Sequence, residues 1–359
     1  MQGGGSTTQT GCQTHGSPRW LYHHGFESGV EEVLSIVSFD EAINGTESQD
    51  RALLIGNGFS SKFFSYRTLL DSLSIDPAEP VIKLFKKLDT VDFETVIRSL
   101  TDAAVVAETY GDSGSATQFL GDADSLRTEL VHAIRANHPT NRADIEPTIP
   151  SCIEFLNNFS KFFSLNYDLL LYWVLLENPK TFLGDGFGLG AVNDGMRGPF
   201  REVAYCNTYY LHGGLHLFRD QQGYIHKNLK NSSGIIDAIA NTIENKKTLP
   251  TYVAEGNSIQ KIAKINSVEY LRFCYKNLGQ LEGNLFIFGH SAADNDAHIY
   301  NKIFMSNIDH IYFGTYRPTA EDLAKFDSQL ARYQKLAKSK IGYTFFDAES
   351  AKVWDRTIP

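Results

Sequence analysis

The stretch "RALLIGNGFSSKFF", residues Arg51–Phe64, decides how the chain is read. Four apolar residues, Ala52 to Ile55, stop abruptly at Gly56-Asn57-Gly58, and Phe59, Ser60 and Ser61 follow. A short apolar run ended by glycines reads as a buried strand breaking into a tight turn. Two meanings stay open for the break. It is a plain turn, or it is a loop whose backbone N–H groups approach a phosphate.

Further runs of the same kind follow. They are "KFFSLNYD" from Lys161, "TYYLHGG" from Thr208, "TYVAEG" from Thr251, "NLFIFGHS" from Asn284, "HIYFGTY" from His310 and "YTFFDA" from Tyr343. Each is rich in β-formers and ends in glycine or a polar cluster. Between them lie helical patterns, "DADSLRTELVHAIRANH" from Asp122, "SVEYLRFCYKNLGQL" from Ser267 and "AEDLAKFDSQLARYQKLAK" from Ala320. Apolar strands alternating with amphipathic helices predict an α/β protein built on a mainly parallel sheet covered on both faces. Residues 65–150 read as a helical insertion module, and Glu177–Arg201, rich in glycine, as a long loop. Ser38 is a possible N-cap of the first ordered segment, "SFDEAI". The polar, glycine-rich start, Met1 to about Gly29 and at most to residue 34, reads as a flexible leader before a domain spanning 35–359.

Composition narrows the function. The chain has 359 residues, is 42% hydrophobic and carries a formal net charge of -9, so no basic face is expected for nucleic acid. Cys12, Cys152, Cys206 and Cys274 form no C-x-x-C pair, which argues against a zinc ribbon or a disulfide framework and fits a reducing compartment. No secretory signal is visible, and the longest strongly apolar stretch, Leu169–Leu176, falls far short of the roughly 20 residues that span a bilayer. The expectation is a cytoplasmic protein with no membrane contact.

Ligands of an open parallel sheet bind beyond the carboxyl ends of its strands. Four polar clusters fall at such ends: Gly56 to Ser60, Asn166 to Asp168, His212 to Gly214, and Gly289-His290-Ser291 with Asp294, Asp296 and His298 after it. Each has a plain structural meaning as well. Asn166 suits a turn, His212 could be a core histidine, and Asp294 and Asp296 could cap the helix that follows.

Taken in order, Gly56-Asn57-Gly58-Phe59-Ser60, Ser164-Leu165-Asn166-Tyr167-Asp168, Leu211-His212-Gly213 and Gly289-His290-Ser291 resemble the sirtuin superfamily. With "YVAEGNSIQKIAKINSVEYL" and "FIFGHSAADNDAHI", the chain is most similar to bacterial SIR2-like proteins of the DUF4917 type. The resemblance covers roughly Ser38 to Asp347. It implies a Rossmann-like α/β NAD-binding domain with a helical module, in which Gly56, Gly58 and Ser60 contact the phosphates and ribose, with Asn57 and Phe59 in the same loop. Asn166 and Asp168 would hold the nicotinamide ribose and His212 would be the general base. Gly213 would keep space for the ribose, and Gly289, His290, Ser291 and Asp296 would complete the NAD site. The chain lacks the two C-x-x-C pairs of zinc-bearing deacetylases. The resemblance therefore implies an NAD hydrolase, releasing nicotinamide and ADP-ribose without a metal. It also implies a place in antiviral defence by NAD depletion, as a homo-oligomer or with a partner protein. Two other readings stay open. One is a metal-dependent phosphohydrolase using His290, Asp294, Asp296 and His298, joined by His212 and His216. The other is a non-catalytic NAD or ADP-ribose sensor.

Overall fold

The strand opened by Arg51 is buried at every position, as an apolar run between two neighbours must be. The computed structural model describes residues 35–64, 69–179, 181–203, 205–230, 234–253 and 256–355. The segment read as a leader lies outside the described residues. In chain order the strands are β1 Ile36–Val37, β2 Arg51–Ile55, β3 Lys161–Ser164, β4 Ala191–Asn193, β5 Met196–Gly198 and β6 Thr208–Tyr210. They continue as β7 Gly213–Arg219, β8 Ile225–Asn228, β9 Pro250–Tyr252, β10 Glu282–Phe288, β11 Asn307–Thr315 and β12 Gly342–Asp347.

Seven of them form one sheet in the order β1-β12-β11-β10-β2-β3-β6, and every neighbouring pair is parallel. If β2, β3, β6, β10, β11 and β12 are numbered one to six, their order is 3-2-1-4-5-6, with β1 added at one edge. That is the doubly wound, Rossmann-like arrangement, and its topological switch point lies between β2 and β10. Each connection between these strands carries at least one helix, as a parallel crossover requires. Phe39, on the helix Phe39–Asn44, packs among Phe155, Phe159, Phe286 and Phe346 with ring centroids 5.3 to 6.4 Å apart. Ser38 does cap that helix, in a reciprocal box with Glu41.

Between β2 and β3 run the helices Pro80–Lys87, Phe93–Thr109, Ser113–Asn137 and Ile149–Leu156, where the sequence reads as a helical module. The two longest pack against each other.

A second sheet departs from the sequence reading. It has five antiparallel strands in the order β4-β5-β8-β7-β9. Two runs expected in one parallel sheet are thereby separated. "TYY" stays in the main sheet as β6, whereas "PTY" of β9 pairs antiparallel with β7. The stretch read as a long loop, Glu177–Arg201, holds the hairpin of β4 and β5. Its turn is Asp194-Gly195, with φ of 50° and 74° at the two residues. Positive φ at both central residues suits the twist of a two-residue hairpin. All three β4 residues are exposed, so no apolar signal marks the strand.

The chain's end reaches back to the first loop. The Trp354 indole lies 5.0 Å from the Phe59 ring, and its Nε1 donates to the Phe59 carbonyl at 2.6 Å. Phe63 packs edge-on against the same indole. Among the described residues, no helix is long and apolar enough to cross a membrane.

Candidate functional site

At the switch point the loops after β2 and β10 touch. The Gly56 amide donates to the Phe288 carbonyl at 2.9 Å and the Gly58 amide to the Gly289 carbonyl at 2.8 Å. The Phe59 amide turns back to the Gly56 carbonyl. A Cβ on Gly58 would stand 2.6 Å from Gly289 Cα, and one on Gly56 would stand 2.7 Å from the Gly289 carbonyl oxygen. The two glycines are therefore demanded by the neighbouring loop. The sequence reading put a phosphate in that space, with these amides facing it, but they already have protein acceptors. Gly58→Val should consequently destabilise the fold by about 1–3 kcal/mol, the usual range for forced overpacking. A urea midpoint equal to the wild type's would show that the loops can separate freely.

Phe59 is wholly buried against Trp354, so it serves the core. Ser60 is buried too, and its Oγ accepts from Asn166 Nδ2 at 2.9 Å. The Asn166 backbone is tied to Ser164 Oγ through both its amide and its carbonyl. Its side-chain Oδ1 is buried with no hydrogen-bond partner among the described residues. An acceptor left in that state is uncommon and marks a place for a water or a ligand hydroxyl. Asp168 behaves differently. Its carboxylate accepts from the Leu170 amide at 2.7 Å, at the start of the helix Leu170–Leu176, and its charge faces His138. The structure thus gives Asp168 a helix-capping contact in place of the ribose contact expected of it. Gly213 and Gly214 do not hold space for a ribose either. A Cβ on Gly213 would strike the Thr251 carbonyl of β9 at 2.1 Å, and one on Gly214 would meet the His216 ring at 2.8 Å.

A cavity of about 220 Å³ opens at the switch point. Of the residues singled out in the sequence, Asn57, His212, Gly289, His290, Ser291 and Asp296 line it. Gly56, Gly58, Phe59, Ser60, Asn166, Asp168 and Gly213 do not, although Asn166 sits between two lining residues, Leu165 and Tyr167.

Asp296 is the hub. Its Oδ1 accepts from Lys261 Nζ at 2.9 Å and its Oδ2 from His290 Nε2 at 3.2 Å. His290 Nδ1 accepts from the Ala292 amide and faces the Tyr300 hydroxyl at 2.7 Å, so the ring proton lies on Nε2, toward Asp296. His212 Nε2 lies 3.8 Å from Asp296 Oδ1 and 3.5 Å from His298 Nε2. Ser258 Oγ accepts from the His298 amide and lies 3.1 Å from His298 Nδ1.

The charges follow from burial. Desolvation pulls His212 down to about 3 and His298 to about 4, and the nearby Asp296 carboxylate only partly offsets it. Burial pushes Asp296 upward, but the His290 hydrogen bond and the Lys261 ammonium outweigh it, so the carboxylate stays charged. A free imidazole takes its proton near pH 6.5, and the buried His212 ring stays neutral well below that pH.

His138 and His216, both buried outside this cluster, are lowered as well, chiefly by desolvation. All four rings are neutral when folded and take protons near pH 6.5 once unfolded. The unfolded state then binds more protons, so stability is full above about pH 6.5 and falls as pH drops toward 4. Urea midpoints measured between pH 7.5 and 4.5 should decline throughout that lower window. A flat series would mean that these rings are not held neutral.

The donor atoms of His212, Asp296 and His298 gather within 4.8 Å of one another. Two imidazoles and a carboxylate are a donor set suited to a zinc-type ion. Lys261 competes for the same Asp296 oxygen. Asp294 lies apart, paired with Arg332, and His216 stacks on Tyr172 in the core. Asp296 stands at the N-cap position of the helix Ala297–Phe304, but its side chain makes no capping bond there. Ser258 and Lys261 lie in a stretch that carries the resemblance but were given no role there, and Tyr300 lies outside every motif. Only the Asn257–Gln260 capping box signals the helix that presents Lys261.

The fold and this cluster define the class: a doubly wound α/β protein with a histidine–aspartate–lysine site at its switch point. The chain belongs to the family described as a domain of unknown function (DUF4917), whose model matches residues 53–354. No curated protein matches it.

Proposed function

We propose that the protein is an NAD hydrolase that releases nicotinamide and ADP-ribose. The observation that carries this reading is a neutral His212 beside the charged Asp296, in a cavity at the switch point of a Rossmann-like sheet. Breaking the nicotinamide–ribose bond builds positive charge on the ribose, and a carboxylate already held ionised favours that charge. Water then bonds to the ribose carbon as nicotinamide departs. His212 Nε2 takes the water proton, and the Asp296 charge 3.8 Å away favours the imidazolium that results. The unpaired Asn166 Oδ1 lies beside the cavity's lining residues and offers an acceptor to the ribose or the water. With this activity goes the setting that the resemblance implies, NAD depletion in antiviral defence together with partner proteins.

The test is nicotinamide release from NAD by purified protein, alone and with candidate partners, in excess chelator. Release that survives the chelator supports the proposal, whereas bound NAD without turnover would make the protein a sensor. A second reading, metal-dependent phosphohydrolysis, is favoured by the convergence of His212, Asp296 and His298. It requires phosphate-ester cleavage that chelator abolishes and zinc restores.

A further inference from the structure

A wider cleft of about 940 Å³ lies against the helical module. Its walls come from the helices Phe93–Thr109, Ser113–Asn137 and Ser258–Ser267 and from the turn between β7 and β8. We propose that it is a binding site for the phosphate groups of a nucleotide-sized ligand, with Arg98, Arg127 and Arg219 as the anion contacts.

Charge is the first ground. Six basic and four acidic side chains line the cleft, in a chain whose net charge is -9. Most of the acidic groups are already matched. Lys264 pairs with Asp92 and Glu94, and Asp220 accepts from His226. Asp89 stands exposed at the rim. Arg98 and Arg219 line the cleft without a direct ion pair among the described residues; both lie near the Glu94 charge, and Arg219 Nε donates to the Gly223 carbonyl, which leaves its terminal nitrogens for a ligand. Arg127 adds a second ground. The residue is 9% exposed, its Nη1 donates to Asp124, and its Nε is buried without an acceptor. A buried guanidinium N–H in that state is unfavourable until an oxygen meets it, and phosphate oxygens suit the planar donor fork.

Size and position extend the argument. The volume falls within the roughly 300–1,000 Å³ of small-molecule sites, whereas the switch-point cavity is below it. Val253 and Lys261 line both spaces. The amides of the glycine loop already have protein acceptors, so the basic cleft is the better anion site. In the NAD reading, on which this step rests, the dinucleotide's phosphates sit in the cleft and its reacting end beside His212. The anion site itself does not need that reading.

The experiment titrates ADP, as the probe, into the wild type, Arg98→Ala/Arg219→Ala and His212→Ala, with calorimetric readout. ADP should bind the wild type and His212→Ala alike and at least ten-fold more weakly to the double variant, whose melting temperature stays unchanged. Should the double variant fail to melt cooperatively, Arg219→Gln at the hairpin end carries the same comparison. ADP that does not bind the wild type, or binds the arginine variants equally well, overturns the proposal. Arginine-dependent ADP binding without nicotinamide release would keep the cleft and reject the hydrolase.

Discussion

Asp296→Ala should lose about 3–5 kcal/mol of stability and all turnover. The carboxylate is 8% exposed and serves Lys261 and His290 directly, with His212 close by. Removing one member of a buried ion pair usually costs about 3–5 kcal/mol, because the other charge stays desolvated. Lys261 is itself only 5% exposed, so its ammonium would be left desolvated. Asp296→Asn, which keeps the acceptor oxygen for one partner, should lose less stability but equally abolish activity. The urea midpoint at constant slope measures the first effect and nicotinamide release the second. An alanine variant as stable as the wild type would remove Asp296 from its place as hub.

His212→Ala should lower the rate of NAD hydrolysis by roughly 100-fold, the lower end of the general-base range, because a ring pulled down to about 3 is a weak base. The ring is buried and makes only long contacts, 3.5 Å to His298 and 3.8 Å to Asp296, so it adds little to stability by hydrogen bonding. Rate and stability should therefore separate, with turnover lost and a cooperative melt retained. Because the folded ring is neutral far below pH 6.5, the wild-type rate should show no step there from His212. A variant that turns over normally ends this mechanism, and one that loses stability and activity in proportion makes His212 a core residue.

The main sheet was legible because its strands are buried on both faces and read as unbroken apolar runs, "ALLI" and "LFIF" among them. The second sheet was not, because all its strands but β7 have only three or four residues and β4 is exposed throughout. One cue was present, the Asp194-Gly195 pair, whose residue types favour the left-handed backbone of a hairpin turn. The site divided in the same way. His212, His290 and Asp296 follow strand ends, where a parallel sheet puts its ligands, and they do meet. Lys261 comes from the helix that follows β9, a strand of the second sheet, and nothing local to its sequence says that it will reach Asp296. Asp168 and Phe59 sit in the right motifs, yet their side chains turn to a helix end and to the core. A motif fixes the path of the backbone, while packing decides which way each side chain faces.

The Trp354 clamp on Phe59 bears on the order in which the protein is made. The two residues are 295 positions apart in the chain. At about 5–20 residues per second, a ribosome needs roughly 15–60 s to travel from one to the other. For that interval the nascent chain carries its first loop without the indole that holds it. His290 and Asp296 emerge late in the same interval, followed by the helix against which they pack. A chain cut before Asp296 contains every residue of the glycine loop but lacks the carboxylate to which Lys261 and His290 bond.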